Sequence, residues 1–340
     1  MGESGKRGEL RLLGEIRRRA GESAAGFAAG GLRLGIGDDC ALLGVRAGEE
    51  MAVTTDLSIA GRHFRLDWHP AEAVGHRALA RGLSDLAAIG ARPVGAFLSL
   101  GLPEELTRAR GKGAAWVTRF FDGLLALAET AKVPLAGGDL SEAPIAVADI
   151  VLVGAVRRGR ALLRRGARAG DGLYVTGALG GAAAGLAYLA GLASTAGTRP
   201  VRLAKGLEGV LRPHLYPQPR IAQGLWLAGR GLATAAVDLS DGLSTDLAHL
   251  CEESGVAAEV EAGVLPIAEG ATLKQALDGG EDYELLFTAA EGAKVPRAIG
   301  GVRVTRIGRM VKAGRGRPQV TLVTERGQEA LAAGGWEHFA

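Results

Sequence analysis

A chain of 340 residues, 47% of them hydrophobic, is long enough for about two domains of ~100–150 residues, each with its own core. Lys and Arg total 40 against 37 Asp and Glu, and a net charge of +3 gives no electrostatic case for binding nucleic acid or a membrane surface. Two cysteines exclude a disulfide framework; no apolar run nears the ~18 residues of a membrane span, and the start MGESGKRGEL has no apolar signal core, so a cytoplasmic protein is expected.

Leu10, Leu12, Leu13 and Ile16, set among charges, mark an amphipathic helix over 8–20, with Arg17-Arg18-Arg19 as its solvated face. Small residues over 21–31 lead to Gly35-Ile36-Gly37-Asp38-Asp39-Cys40, a tight turn from which one of two adjacent carboxylates can enter a site. Met51-Ala52-Val53 reads as a buried strand whose last residues, Thr54-Thr55-Asp56, carry two hydroxyls and a carboxylate out of the sheet. A Gly-containing loop follows, ending at His63. Pro70 starts a helix to about Ile89, with Asp85 inside it, and a strand over 94–102 comes next. A long helix over 104–131 leads to the strand Val133-Pro134-Leu135-Ala136, which runs through Gly137-Gly138 to Asp139. After a strand over 145–156, buried on both faces, Arg157-Arg158-Gly159-Arg160 breaks the pattern. The boundary placed there gives domains 1–155 and 156–340.

The second half opens with a strand over 173–175 that enters Thr176-Gly177-Ala178-Leu179-Gly180-Gly181 and a helix over 182–192. Such a Gly-rich turn either cradles phosphate on backbone N–H groups or simply allows close helix packing. A punctuated connection over 193–217 precedes a helix over 218–230. The strand Thr234–Val237 leads to Asp238-Leu239-Ser240-Asp241-Gly242-Leu243, where Ser240 or Asp241 is a candidate N-cap for a helix to Glu253. Gly279-Gly280-Glu281-Asp282-Tyr283-Glu284 precedes a strand over 285–287, strands near 301–307 and 319–323 follow, and the chain closes on Gly334-Gly335-Trp336-Glu337-His338-Phe339.

Three strands leading to an Asp suggest one shared acidic site, since open α/β sheets bind ligands beyond the carboxyl ends of their strands. The candidate ligands Asp39, Asp56, Asp85, Asp139, Asp238 and Asp241, with Thr54, Thr55 and Ser240, all supply oxygen. That set suits Mg²⁺, and carboxylate-bound Mg²⁺ keeps positions open for substrate phosphates. A phosphoryl or nucleotide enzyme is therefore the leading class. Gly111-Lys112-Gly113 is not a Walker A loop, and neither the kinase HRD and DFG pair nor a Ser/His/Asp elbow is present. Metals, Arg and backbone amides would have to hold the triphosphate.

GIGDDCALL, TTDLSIAGRHF, LSDLAAIGARP, GGD, ALLRRGA, DLSDGL, GGEDYEL and GWEHF occur in the order and spacing of the thiamine-monophosphate kinase family, which the chain resembles from about Gly8 to Phe339. LSDLAA and DLSDGL recur in the wider aminoimidazole-ribonucleotide-synthetase-like superfamily, whereas GGEDYEL with the aromatic of GWEHF is more particular to the thiamine enzymes. The resemblance implies a two-domain α/β (α+β) fold, with first domains pairing in a homodimer across a barrel-like interface. The first domain would bind ATP and Mg²⁺, and the second would complete the ATP and substrate sites. The implied activity is transfer of the ATP γ-phosphoryl group to thiamine monophosphate. It implies Asp39, Thr54, Thr55, Asp56, Asp85, Asp139, Asp238 and Asp241 as ligands of several Mg²⁺ ions, with Asp56, Asp85, Asp139 and Asp241 catalytic. Gly138, Asp139, Arg164 and Ser240 would contact ATP, and His63, Glu281 and Trp336 the thiamine monophosphate.

Two positions depart from the family pattern: Leu140-Ser141-Glu142-Ala143 stands where Thr-Thr-Arg-Gly is common after GGD, and Gly82 where Asn is common before LSD. The first exchanges a cation for an anion near the phosphates. The alternatives are another ATP-dependent member of the superfamily, of purine cyclo-ligase or selenophosphate-synthetase type, or a non-catalytic nucleotide-sensing dimer. A selenophosphate synthetase would want a reactive Cys in a glycine-rich loop, whereas Cys40 reads as a small buried residue.

Overall fold

Helical periodicity and strand alternation each have to bury one face, and in this chain they do so in two units. The computed structural model describes residues 3–24, 31–37, 39–107, 112–196, 208–314 and 319–336. In chain order the first part comprises α1 (Glu3–Ala24), β1 (Leu32–Leu34), β2 (Leu42–Leu43), β3 (Glu49–Ile59), α2 (Ala71–Ile89), β4 (Arg92–Leu102), α3 (Glu104–Thr107), α4 (Lys112–Ala131), β5 (Leu135–Glu142) and β6 (Val147–Arg157). Then come β7 (Gly172–Thr176), α5 (Gly181–Ala196), α6 (Glu208–Leu215), α7 (Ile221–Arg230), β8 (Ala233–Asp238), α8 (Leu243–Ser254) and β9 (Val256–Glu261). The chain continues with α9 (Leu273–Asp278), β10 (Leu285–Ala289), β11 (Ala298–Ile299), β12 (Val302–Lys312), β13 (Val320–Thr324) and β14 (Gly327–Ala330).

The first unit holds residues 1–83 and 93–155, and the second holds 84–92 together with most of the chain from 156 on. Residues 84–92, which the sequence pattern assigns to the first domain, thus group with the second unit. The reason is close packing: a Cβ on Gly224 of α7 would collide with the carbonyl of Ala87, and Leu162 donates its N–H to the Ile89 carbonyl.

In the first unit, among the described residues, the sheet runs β3-β6-β4-β5, with β4 and β5 parallel. Leu79, Leu83, Ile150 and Leu152 are wholly buried. Gly82 of α2 lies against the Ile150 and Leu152 side chains, so α2 covers this face of β6. Helices α2 and α4 touch backbone to backbone. A Cβ on Gly75 would meet the Phe120 carbonyl, and one on Gly123 would meet the Glu72 carbonyl.

The strand expected to be buried at 51–53 is instead part of the eleven-residue edge strand β3. Thr54-Thr55-Asp56 consequently lie in mid-strand, and Asp139 lies within β5 rather than beyond it. Pairing along the sheet edge continues past the short apolar run, so that run marks the strand end too early. The expected helix over 104–131 is divided into α3 and α4, with 108–111 outside the described residues.

The second unit is built on the sheet β14-β13-β9-β12-β7-β10-β8, with β11 paired to β12. Strands β13 and β9 run parallel. The β14–β13, β9–β12, β12–β7, β7–β10, β10–β8 and β11–β12 pairs are antiparallel. Both faces are buried. Val175, Ala235, Val237 and Leu286 pack with Leu247 and Leu250 of α8 on one side. Ala236, Leu285 and Phe287 pack with Leu227 and Ala228 of α7 on the other. Successive residues of one strand thus serve opposite cores.

Because the α2–α4 crossing has no room for a methyl group, Gly123→Ala is expected to destabilise the protein by about 1–3 kcal/mol through overpacking. Thermal denaturation should show a midpoint several degrees lower. An unchanged midpoint would contradict this account of the crossing.

Candidate active site

The candidate residues fall into two sets, one per unit. In the first unit, β3 alternates its side chains, so Thr54 and Asp56 share one pleat and Thr55 takes the other. Arg81 of α2 donates from Nε to Asp56 Oδ1 at 3.3 Å. On the opposite pleat, Thr55 Oγ1 donates to Asp149 Oδ1 of β6 at 3.1 Å. The three neighbours expected to act together are therefore split by the strand's period of two. His63 closes the turn after β3. Its Nδ1 accepts the Ile59 N–H at 3.1 Å, and its carbonyl accepts from Arg77. An accepting Nδ1 leaves the ring proton on Nε2.

Asp39, Gly138 and Asp139 meet on a cleft of about 740 Å³. Its apolar wall includes Ile16, Leu98 and Phe121. Gly138 sits at φ 148°, and a Cβ there would collide with the backbone of Leu98, so the close β4–β5 approach requires glycine. Leu140 lines the cleft, whereas Glu142 is exposed at the strand end.

In the second unit, β8 ends at Asp238, as the sequence pattern predicts; its buried Oδ2 accepts from Ser84 Oγ at 2.6 Å. Asp85 follows Ser84, half-buried on α2. Neither Ser240 nor Asp241 caps α8. The N-cap is Gly242 at φ 123°, and Asp246 in the first turn accepts the N–H groups of Asp241 and Gly242 at 3.1 Å each. A carboxylate inside the first turn satisfies the donors that a capping side chain would otherwise take. Burial, aided by the charge of Asp241, pushes the Asp246 carboxyl up to about 7. The loop from Arg164 to Ala167 is tied to Ser254 Oγ, which donates to the Arg164 carbonyl and accepts from Gly166 and Ala167 N–H.

The loop 279–284 is strapped to the Asp238–Gly242 turn: Glu281 N–H donates to the Ser240 carbonyl at 2.8 Å and Tyr283 N–H to that of Leu239 at 2.9 Å. Glu281 and Tyr283 take left-handed φ values of 68° and 51°. His214 of α6, itself buried, places Nδ1 3.6 Å from Glu281 Oε2. From the other side, Trp336 N–H donates to the Asp241 carbonyl at 3.0 Å, and Gly334 and Gly335 N–H bond Ser244 and Thr245. Ser240, Asp241, Glu281 and Trp336 thus form one hydrogen-bonded cluster. Residues 337–340, and with them the rest of the terminal aromatic motif, lie outside the described residues.

The Gly-rich turn before α5 does not present its N–H groups to a ligand. Asp282 accepts the N–H of Gly180 and, at 3.0 Å, that of Ala182, taking the place a phosphate would occupy at a helix N-terminus. Beneath it, Glu284 accepts from Thr176 Oγ1 at 2.6 Å and pairs with Arg220 through both guanidinium nitrogens. His214, Asp246 and Arg220 are absent from the residues that motif and spacing single out, and Asp282 stands in the GGEDYEL motif without an assigned role. The run of three acids within Glu281–Glu284 is the available signal.

Among the described residues, no three carboxylate, histidine or cysteine side chains are grouped to hold a metal ion by themselves, and no helix is long and apolar enough to cross a membrane. Cys40 is exposed rather than buried. Buried Cys251 has its thiol pushed up to about 12 by desolvation, so it is unreactive near neutrality.

Residues 37–156 match the AIR synthase related protein N-terminal domain, and residues 168–321 match the corresponding C-terminal domain. The chain is 39% identical to the thiamine-monophosphate kinase of Escherichia coli K12 over 322 residues, covering 91% of this chain and 93% of that protein. It belongs to the thiamine-monophosphate kinase family. Within that family, the crystal structure from Stenotrophomonas maltophilia K279a is similar at a TM-score of 0.75 and 35% identity, covering 92% of this chain and 95% of that one. The structure of AaThiL complexed with AMPPCP and TMP is similar at a TM-score of 0.73 and 30% identity, covering 87% and 89%. The mixed helix and sheet architecture is the one that family membership implies.

Burial, opposed by the two N–H groups and aided by Glu284 and Glu281, pushes the Asp282 carboxyl up to about 7. A carboxyl whose folded pKa lies above its unfolded value of 3.8 binds its proton more tightly in the folded state. Its stabilising contribution is full below about 4 and is lost as pH rises through about 7. Melting temperature should therefore fall between about pH 4 and pH 7, and Asp282→Asn should lessen the fall because an amide does not ionise. Equal slopes in the two proteins would refute the assignment.

Proposed function

We propose that this chain transfers the γ-phosphoryl group of ATP to a phosphate oxygen of thiamine monophosphate, giving thiamine diphosphate and ADP. The observation that carries the reading is the backbone clasp on Ser240-Asp241: the Ser240 carbonyl accepts Glu281 and the Asp241 carbonyl accepts Trp336. Residues assigned to ATP and residues assigned to thiamine monophosphate are thereby held a few bonds apart. Family membership across nine-tenths of the chain supports the same activity.

The acceptor phosphate, with a second pKa near ~6, is largely dianionic at neutral pH and needs no general base. The demand on the protein is to align two polyanions and offset their charge. The new P–O bond forms as the bond from the γ-phosphorus to the bridging oxygen breaks, and ADP carries that electron pair away. On this reading the first domain, 1–155, supplies the cleft at Gly138 and Asp139 for the nucleotide. The second, 156–340, supplies Arg164 and Ser240 to ATP, and Glu281 and Trp336 to the thiamine moiety. His63 of the first domain offers its Nε2–H to the thiamine monophosphate.

The donor set fits Mg²⁺, since Asp39 and Asp139 bring hard oxygens to one cleft wall. Asp39, Thr54, Asp56, Asp85, Asp139, Asp238 and Asp241 would hold the ions. Thr55, bonded to Asp149 on the other pleat, is left out of this set. Bound Mg²⁺ would supply charge neutralisation on the phosphate oxygens.

Thiamine monophosphate carries a cationic thiazolium and a flat pyrimidine, and the Trp336 indole is 52% exposed on the cluster. Stacking and cation–π attraction there are worth roughly 0.5–2 kcal/mol. ADP release should depend on thiamine monophosphate and not on thiamine or aminoimidazole precursors. Trp336→Ala should raise KM for thiamine monophosphate about ten-fold with little change in kcat. ADP release with every acceptor or with none would reject the kinase reading, and an unchanged KM with a lower melting temperature would make Trp336 a packing residue.

A homodimer is supported by β3. Met51, Val53 and Leu57 lie on one pleat of this edge strand, 54%, 62% and 45% exposed. An unpaired edge with an apolar pleat is a template for pairing with a second copy. Val53→Lys is expected to shift the molar mass measured by light scattering from dimer to monomer. A wild-type monomer would dismiss the dimer.

A further inference from the structure

We propose that Arg17 of α1 is a nucleotide-binding residue, its guanidinium pairing with the phosphates of ATP at the polar end of the Gly138–Asp139 cleft. Three consecutive arginines on a helix fan out at about 100° intervals, so they cannot share one environment. Arg18 pairs with Glu22 on its own helix at 2.8 Å. Arg19 crosses to α4, where it donates to the Thr118 carbonyl at 3.0 Å and pairs with Asp122. Arg17 takes the third direction. With Leu13, Gly14 and Ile16 it forms the helix side that lines the cleft, facing Gly37, Asp39, Gly138 and Asp139. Its guanidinium lies so close to Gly37 that a Cβ there would collide with it, and Gly37 has φ 128°, open only to glycine. Among the described residues Arg17 forms no ion pair, whereas its two neighbours do.

The electrostatics give this placement a use. A triphosphate entering this cleft meets two carboxylates, Asp39 and Asp139, on the wall. An arginine at the same end offsets that repulsion and presents a planar fork suited to two phosphate oxygens. Arg17 and Arg18 are both exposed, as the solvated-face reading of Arg17-Arg18-Arg19 expects, but of the three only Arg17 lines the cleft.

The proposal rests on the kinase reading, and the experiment separates the two. Binding of the non-hydrolysable analogue AMPPCP and of adenosine is measured by calorimetry for the wild type, Arg17→Ala, Arg17→Lys and Arg18→Ala, beside steady-state kinetics with ATP and thiamine monophosphate. Arg17→Ala should weaken AMPPCP about ten-fold, leave adenosine binding unchanged, and raise KM for ATP by a similar factor. Arg17→Lys should recover part of the loss, and Arg18→Ala should match the wild type. AMPPCP affinity within two-fold of wild type in Arg17→Ala would overturn the proposal, as would an equal loss for adenosine. If the wild type binds AMPPCP but does not consume ATP with thiamine monophosphate, the kinase reading fails while the calorimetry still decides Arg17. Should Arg17→Ala not fold, Arg17→Gln is read by the same criteria.

Discussion

The carboxylate of Asp282, seated on the N-terminus of α5, is the contact on which the candidate substrate cluster depends. It is flanked by Glu281 and Tyr283, both in left-handed conformations that cost a side-chain-bearing residue of order 1 kcal/mol or more. Such a loop persists only when its surroundings over-determine it. Here the surroundings are the N–H groups of Gly180 and Ala182, the carbonyls of Leu239 and Ser240, and the Arg220–Glu284–Thr176 network. Through these contacts Glu281 is held on the turn that carries Ser240 and Asp241, and Trp336 is clasped to that turn from the other side. A conformationally costly loop is thus held in place by the two backbone N–H groups bonded to Asp282, while burial of that carboxyl favours its protonated form.

The acidic residues are managed individually. Asp56 faces Arg81, Asp238 accepts a serine hydroxyl, Asp246 satisfies the open end of α8, and Asp282 that of α5. Only some of the carboxylates that look alike in sequence are therefore available for cation or phosphate chemistry. Asp246 and Asp282 carry raised pKa values because they are desolvated, and their hydrogen bonds serve the backbone. Asp39 and Asp139, by contrast, stand on the wall of an open cleft. Acceptance of backbone N–H groups, rather than burial, separates these structural acids from the candidate ligands, since Asp238 is as buried as Asp246.

Small residues organise the packing between helices. Gly75 and Gly123 let α2 and α4 meet at their backbones, and Gly224 lets α7 approach Ala87. With aromatics at 4% of the chain, contacts of this kind bring Ala- and Leu-rich surfaces within dispersion range without large side chains.

Local pattern is enough to specify the existence and type of the long elements, the loops where Gly and Pro interrupt them, and the family, because periodicity and motif order are properties of neighbouring residues. Strand 233–238 ending at Asp238 and the helix carrying Asp85 are legible for that reason. Long-range packing selects which strand becomes an edge, so that β3 extends through Thr54–Asp56 and turns Thr55 away from its neighbours. It also places Asp282 in the Gly-rich turn before α5, a contact spanning 100 residues to Ala182. Likewise Arg17, Arg18 and Arg19, identical in type and adjacent in the chain, acquire three different environments. One cause is common to all three cases: hydrogen-bond partners and burial are set by distant parts of the chain, and no local pattern encodes which of several like residues will meet them.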